Sequence, residues 1–219
     1  MLPILFHTEM VRAILDGRKT VTRRLIKPQP SPDWVTVKGM YRDSEGRLCA
    51  VFHSDEEVHA LYPPYDRRDV LWVRETWSTS DGSYLYRAWP GEGMEPERQD
   101  WAMKEMGLKW RPSIHMPREA ARIFLRVTGV RVERLRDMVL ADVLMEGIKE
   151  TDEYEKTWDR WYQSWNHTIK PADLPTYGWA ANPWVWVIDF ERISEEEAEG
   201  ATALLACRGP LPGADIKED

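Results

Sequence analysis

Gly17-Arg18-Lys19-Thr20-Val21-Thr22-Arg23-Arg24 places a lysine, two threonine hydroxyls and three arginines immediately after what reads as a helix end. In the preceding segment, Thr8 to Leu15, the apolar residues Met10, Val11, Ile14 and Leu15 have the spacing of one buried helical face. Thr8 is the expected N-cap and Gly17 the expected C′ residue. Beyond Gly17, the residues Thr20, Thr22 and Arg24 alternate with Val21, Arg23 and Leu25, so a strand here puts the hydroxyls and one guanidinium on one face. Lys19 enters from the loop. Basic residues after a helix C-terminus also stabilise the negative end of its dipole, so this spacing alone does not demand a site.

Working outward, Pro3 to Phe6 predicts a first strand and the segment up to Ile26 a second. Pro28, Pro30 and Pro32 then break regular structure, and Trp34 to Val37 with Arg47 to Phe52 predict a hairpin around Asp43-Ser44-Glu45-Gly46. Val70 to Glu75 reads as a buried strand, Tyr84 to Trp89 as another, and Pro90 to Pro112 as loop with one short helix. Ile123-Leu125-Val127 and Val130-Val132 change parity at Gly129, where a bulge or bend restores the buried face. Asp137 to Glu146, ending at Gly147, and Glu153 to Asn166 predict helices, and Trp184 to Ile193 a closing strand. Trp158, Trp161 and Trp165, with Tyr154, recur at helical intervals as a core-facing stripe. Strands interrupted by single helices, without a repeated βαβ unit, suit a small mixed barrel decorated by helices.

The chain of 219 residues is long enough for one substantial core. Its net charge of −7 sits mostly at the end: residues 189 to 219 hold nine acids and three bases, whereas residues 8 to 30 hold six bases and two acids. The basic segment is compatible with a phosphate-bearing ligand. Cys49 and Cys207 are far apart and read as reduced thiols. No apolar run approaches a membrane span and the N-terminus lacks signal-peptide character, so a cytoplasmic protein without membrane contact is expected.

The eight opening residues resemble the G-x-K-T-x-T-x-R signature of the ASCH (activating signal cointegrator homology) family, whose domains are PUA-like β-barrels. The resemblance implies an α+β fold: a PUA-like (ASCH) mixed β-barrel decorated by short helices. Pro3-Ile4-Leu5-Phe6, Leu71-Trp72-Val73-Arg74-Glu75-Thr76-Trp77, Pro112-Ser113-Ile114-His115-Met116-Pro117 and Asn182-Pro183-Trp184-Val185-Trp186-Val187-Ile188 resemble the longer, tryptophan-rich members found in phages and prophages. The likeness covers most of residues 1–193, expected to be one domain with extra segments near 28–66 and 78–112. Residues 194–219 read as a flexible acidic tail, with a short helix possible around Ala198 to Cys207.

In the family's small bacterial N4-acetylcytidine amidohydrolases, the signature lysine, its second threonine and a later glutamate are the proposed catalytic residues. The resemblance carries these roles to Lys19, Thr22 and Glu146, the last within Ala141-Asp142-Val143-Leu144-Met145-Glu146-Gly147-Ile148. Removing an acetyl group from cytosine's exocyclic nitrogen needs a nucleophile, a base, oxyanion stabilisation and a proton for the leaving amine. In one assignment Lys19 deprotonates Thr22 and Glu146, its pKa raised by burial and the helix end, shuttles the proton. In the other Glu146 activates water, Lys19 stabilises the oxyanion and Thr22 positions the substrate. Arg24, Glu75, Trp77 and His115 are candidate substrate-binding residues, each with an ordinary structural alternative as salt-bridge partner, core filler or loop donor. No metal or cofactor is expected: His7, His53, His59, His115 and His167 have no ligand spacing, and no phosphate-loop motif occurs. The expected partner is a modified nucleoside or RNA. Two alternatives to an enzyme remain open: a non-catalytic module that binds RNA or reads modified bases, and a phage accessory protein that binds another protein through exposed tryptophans.

Overall fold

A computed structural model describes residues 1–36, 39–88 and 96–207 of the chain. Val37, Trp89 and residues 208–219 of the expected tail lie outside the described residues. The fold is α+β. Strand β1 (Leu2–Leu5), helix α1 (Thr8–Leu15) and strand β2 (Val21–Leu25) follow one another directly. Then come β3 (Val35–Thr36), β4 (Tyr41–Arg42), β5 (Leu48–His53) and β6 (Val58–Leu61), followed by β7 (Val70–Arg74), β8 (Trp77–Ser80) and β9 (Ser83–Tyr86). Helix α2 (Pro96–Glu105), β10 (Phe124–Arg134), α3 (Leu140–Met145) and α4 (Tyr154–His167) precede α5 (Leu174–Tyr177), β11 (Trp184–Ile193) and α6 (Glu195–Cys207).

The main sheet has the order β1-β7-β10-β11-β2, with β1 parallel to β7 and every other pair antiparallel. Strand β11 lies between β10 and β2 and is buried on both faces. Trp186, Ile188 and Phe190 point to one core with α1, β7 and β10. Val185 and Val187 point to a second core with Trp161 and Trp165 of α4 and Val143 of α3. The parity change at Gly129 is a register shift in the β10–β11 ladder between Val127 and Gly129, as the alternation requires.

The expected closed barrel is not found: among the described residues no backbone ladder joins β1 to β2, and the sheet is open. Side chains cross the gap instead. Arg24 of β2 donates from Nη2 to the Leu5 carbonyl at 2.8 Å, and the Tyr65 hydroxyl donates to the Pro3 carbonyl at 2.8 Å. These bonds satisfy acceptors that an edge strand otherwise exposes.

Strands β3, β4 and β6 all pair with β5, forming a second sheet within the segment read as an extra insertion. Its turn at Asp43–Gly46 joins β4 to β5, so the hairpin partner is Tyr41–Arg42; Val35–Thr36 pairs farther along the same strand. Ala50 and Phe52 of β5 are wholly buried in the core shared with the main sheet, and Phe52 meets Trp184 edge to face at 5.3 Å. At the other end, α6 departs from the flexible-tail expectation. Ala198 is fully buried against Val70, Trp72, Phe124 and Ile193, which holds the helix to the sheet. No helix among the described residues is long and apolar enough to cross a membrane.

Candidate functional site

Helix α1 ends where its backbone turns back on itself. The N–H groups of Arg18 and Lys19 both bond to the Ala13 carbonyl, at 2.9 and 3.0 Å, and Gly17 takes a φ of +74°. The chain then enters β2 with Lys19 turned inward. Helix α3 ends beside it: Thr20 N–H donates to the Met145 carbonyl at 2.9 Å, and Lys19 and Glu146 form an isolated antiparallel bridge. Gly147 permits this approach. It has a φ of +93°, and a Cβ there would lie 2.6 Å from Ala13 Cβ and 3.0 Å from Lys19 Cβ.

Backbone pairing thus brings together two buried side chains separated by 127 residues. Lys19 and Glu146 are 3% and 2% exposed, and Lys19 Nζ donates to Glu146 Oε2 at 2.5 Å. The same Nζ donates to the carbonyls of Val21 at 2.8 Å and Glu146 at 3.0 Å. Three acceptors therefore surround a group whose protonated form has three hydrogens, which is the arrangement of an ammonium. Burial lowers the Lys19 pKa below its ordinary value, opposed by the charge and hydrogen bond of Glu146.

Arg23 is the neighbour that sequence reading passed over. Its alternation opposite Thr22 turns it toward α3, where Nη1 donates to Glu146 Oε1 at 3.3 Å. Nη2 lies 3.3 Å from Asp142 Oδ1 and 3.6 Å from Glu133 Oε2, within ion-pair range but without hydrogen-bond alignment. Nε also has no hydrogen-bond partner, although the residue is only 3% exposed. Asp142 serves α3 as well, since its Oδ2 accepts from the Val139 N–H at the start of that helix at 2.8 Å. The available signal for Arg23 was a strand position facing the same side as Val21.

Lys19, Thr22, Arg23, Arg24 and Glu146 line one small cleft of about 80 Å³, walled by Phe6, Met10, Trp161 and Trp165. Lys19 Nζ and Arg24 Cζ lie 5.5 and 5.2 Å from the Phe6 ring centre, a cation–π arrangement. Trp161 and Trp165 belong to the core, as their helical spacing predicts, and also form the cleft wall. His7 stands at the mouth, at the N-cap position of α1 assigned to Thr8 from the sequence. Desolvation by its crowded flanks, and then the Lys19 charge, lower the imidazole pKa. The sequence held no spacing signal for His7.

The chain matches no protein-family model, no curated protein and no solved structure. Its own geometry therefore carries the argument.

The remaining candidates lie elsewhere. Glu75 accepts a two-pronged contact from Arg122, Nε to Oε1 at 2.9 Å and Nη2 to Oε2 at 3.0 Å. Trp77 packs with Met116 and Ala120. His115 is exposed in the short turn Ser113–His115. None of the three lines the cleft. Among the described residues no group of three or more His, Cys, Asp or Glu side chains could hold a metal ion.

What the cleft offers chemically is a carboxylate held by two cations, a threonine beside it and a neighbouring guanidinium. Glu146 uses one acceptor contact per oxygen for Lys19 and Arg23, which leaves carboxylate lone pairs for a water or a substrate N–H.

Proposed function

We propose that this chain is a PUA-like protein of the ASCH type whose cleft receives a nucleobase and removes an acyl group from N4-acetylcytidine or a related modified base. One observation supports this reading above the rest: Lys19, Thr22 and Glu146, remote in sequence, line a single cleft with Arg24. Of the two mechanisms, water activation by Glu146 suits the geometry better. A neutral Lys19 amine would leave one of its three acceptors without a proton, whereas Glu146 retains acceptor capacity. Arg24 then stabilises the tetrahedral oxyanion, with Lys19 contributing its charge but no free N–H, Thr22 orients the carbonyl, and Glu146 passes the proton taken from water to the leaving amine.

The test is chromatographic conversion of N4-acetylcytidine to cytidine by the purified protein. Lys19→Ala is expected to lower kcat/KM by at least about 100-fold. Thr22→Val separates the mechanisms: a loss of roughly tenfold fits a positioning hydroxyl, and near-complete loss fits a nucleophile. Full activity in both variants would end the assignment. A second reading, a module that reads a modified base without turnover, is favoured by the fully engaged Lys19 ammonium. Binding without product formation would select it.

A further inference from the structure

The cleft is too small for a nucleoside. At about 80 Å³ it falls well below the roughly 300–1,000 Å³ of ordinary ligand pockets, so it takes at most the acyl end of a modified base. The rest of such a ligand must lie outside it. A second, larger depression of about 440 Å³ shares Arg23, Arg24, Trp165 and Thr168 with the cleft. It extends over Lys27, just after β2, and Lys170, just after α4.

The groove is lined by four cations and one carboxylate, Asp173, in a chain whose acids outnumber its bases. Among the described residues no ion pair involves Arg24, Lys27 or Lys170. Lys27 instead lies over the Tyr177 ring, 4.9 Å from its centre. Arg23, buried beneath both cavities, keeps an Nε without an acceptor. A bare ribose presents hydroxyls that both donate and accept, and a surface offering chiefly charged donors suits it poorly. A phosphate only accepts, and charge-assisted bonds from Arg and Lys are its usual recognition.

We propose that this groove is a phosphate subsite, so that the ligand is a nucleotide, free or within a strand, in preference to the bare nucleoside. The inference rests on the reading that the adjoining cleft takes the acyl end of the base. Arg24 joins the two parts, since it borders both cavities.

The test compares binding and turnover of N4-acetylcytidine, its 5′-monophosphate and a short single-stranded RNA carrying one N4-acetylcytidine. Each is measured at about 50 and 200 mM salt, with the intact protein and with Lys27→Ala/Lys170→Ala, both exposed positions. Phosphorylated ligands are expected to bind at least about tenfold more tightly than the nucleoside, with an advantage that shrinks as salt rises. The double variant should bring that ratio toward one. A monophosphate as tight as the RNA assigns the subsite to a single nucleotide, and further gain with the RNA assigns it to a strand. Equal, salt-insensitive binding of nucleoside and nucleotides, or an unchanged ratio in the double variant, overturns the inference. Hydrolysis of the nucleoside with no phosphate advantage would sink the subsite and spare the amidohydrolase reading. Lysine-dependent nucleotide binding without hydrolysis would do the reverse.

Discussion

Two buried glutamates with basic partners divide this molecule. Glu75, 1% exposed, meets Arg122 through two parallel hydrogen bonds, and that guanidinium rests over the Tyr86 ring at 4.0 Å. Charge, geometry and packing are matched there, and Glu75 lines neither the cleft nor the groove. Glu146 is equally buried but is shared by Lys19 and Arg23, and Arg23 keeps unsatisfied donors beside open space. A closed pair fastens a structure; an unbalanced one next to a cavity can still accept something. Burial and pairing of a glutamate therefore do not single out a candidate site, whereas leftover hydrogen-bonding capacity beside a cavity marks the Glu146 region as the candidate.

The widest separation between the two regions should appear on neutralising each carboxylate. Glu146→Gln leaves deeply buried Lys19 without a counter-charge and Arg23 without one of its three carboxylates, and should cost about 3–5 kcal/mol in urea unfolding. Glu75→Gln leaves only Arg122, which is 18% exposed and can turn toward water, and should cost roughly 1–3 kcal/mol. Equal losses would break the comparison. Removing both charges sharpens it: Lys19→Met/Glu146→Leu should recover much of the single-variant loss while abolishing any cleft chemistry, because apolar replacement of both partners avoids a stranded charge.

Next in size is Gly147→Ala, expected to cost about 2 kcal/mol from strain at positive φ and from crowding Ala13 and Lys19. Its effect on cleft binding should exceed that of an equally destabilising change around Glu75. Calorimetry on variants matched for stability measures the difference.

The smallest expected effect is an opposite response to acid. His7 has a folded pKa below 6.5, so the unfolded chain binds more protons between the two values. Stability from this residue is full above 6.5 and is lost as pH falls through the folded pKa. Glu75 has a folded pKa above 4.5, raised by desolvation against the pull of Arg122. The native state then binds more protons, so the penalty on its charge, present at neutral pH, is relieved on acidification. Relative to the parent protein, His7→Gln should gain stability between pH 7 and 5, and the deficit of Glu75→Gln should widen over the same range. Urea midpoints at the two pH values give the signs, and matching signs would contradict the assignment.

Much of the fold could be read from local pattern because local pattern determines it. Thr8–Leu15 and Trp184–Ile193 have the bounds that their periodicities predict, and the parity change at Gly129 fixes the β10 irregularity. The failures are non-local. The run Glu195-Glu196-Glu197 suggests a solvated tail, but small Ala198 lets the helix lie flat on the sheet. The alternation puts Arg23 on the side of Val21 but does not name its partners, because Glu133, Asp142 and Glu146 reach it from elements over a hundred residues away. Glu75 and Trp77 read as candidates for substrate binding with a salt bridge and core filling as the alternatives, and local pattern does not say on which side of the molecule such residues fall.

The burial of Phe52 also fixes how the molecule comes apart. Because the second sheet supplies a wall of the main core, strand β5 cannot melt as part of an independent flap without uncovering Trp184 of β11, against which Phe52 packs. Heating or urea should give a single transition seen alike by tryptophan fluorescence and backbone circular dichroism. The segment that looks easiest to cut away is one the chain cannot spare.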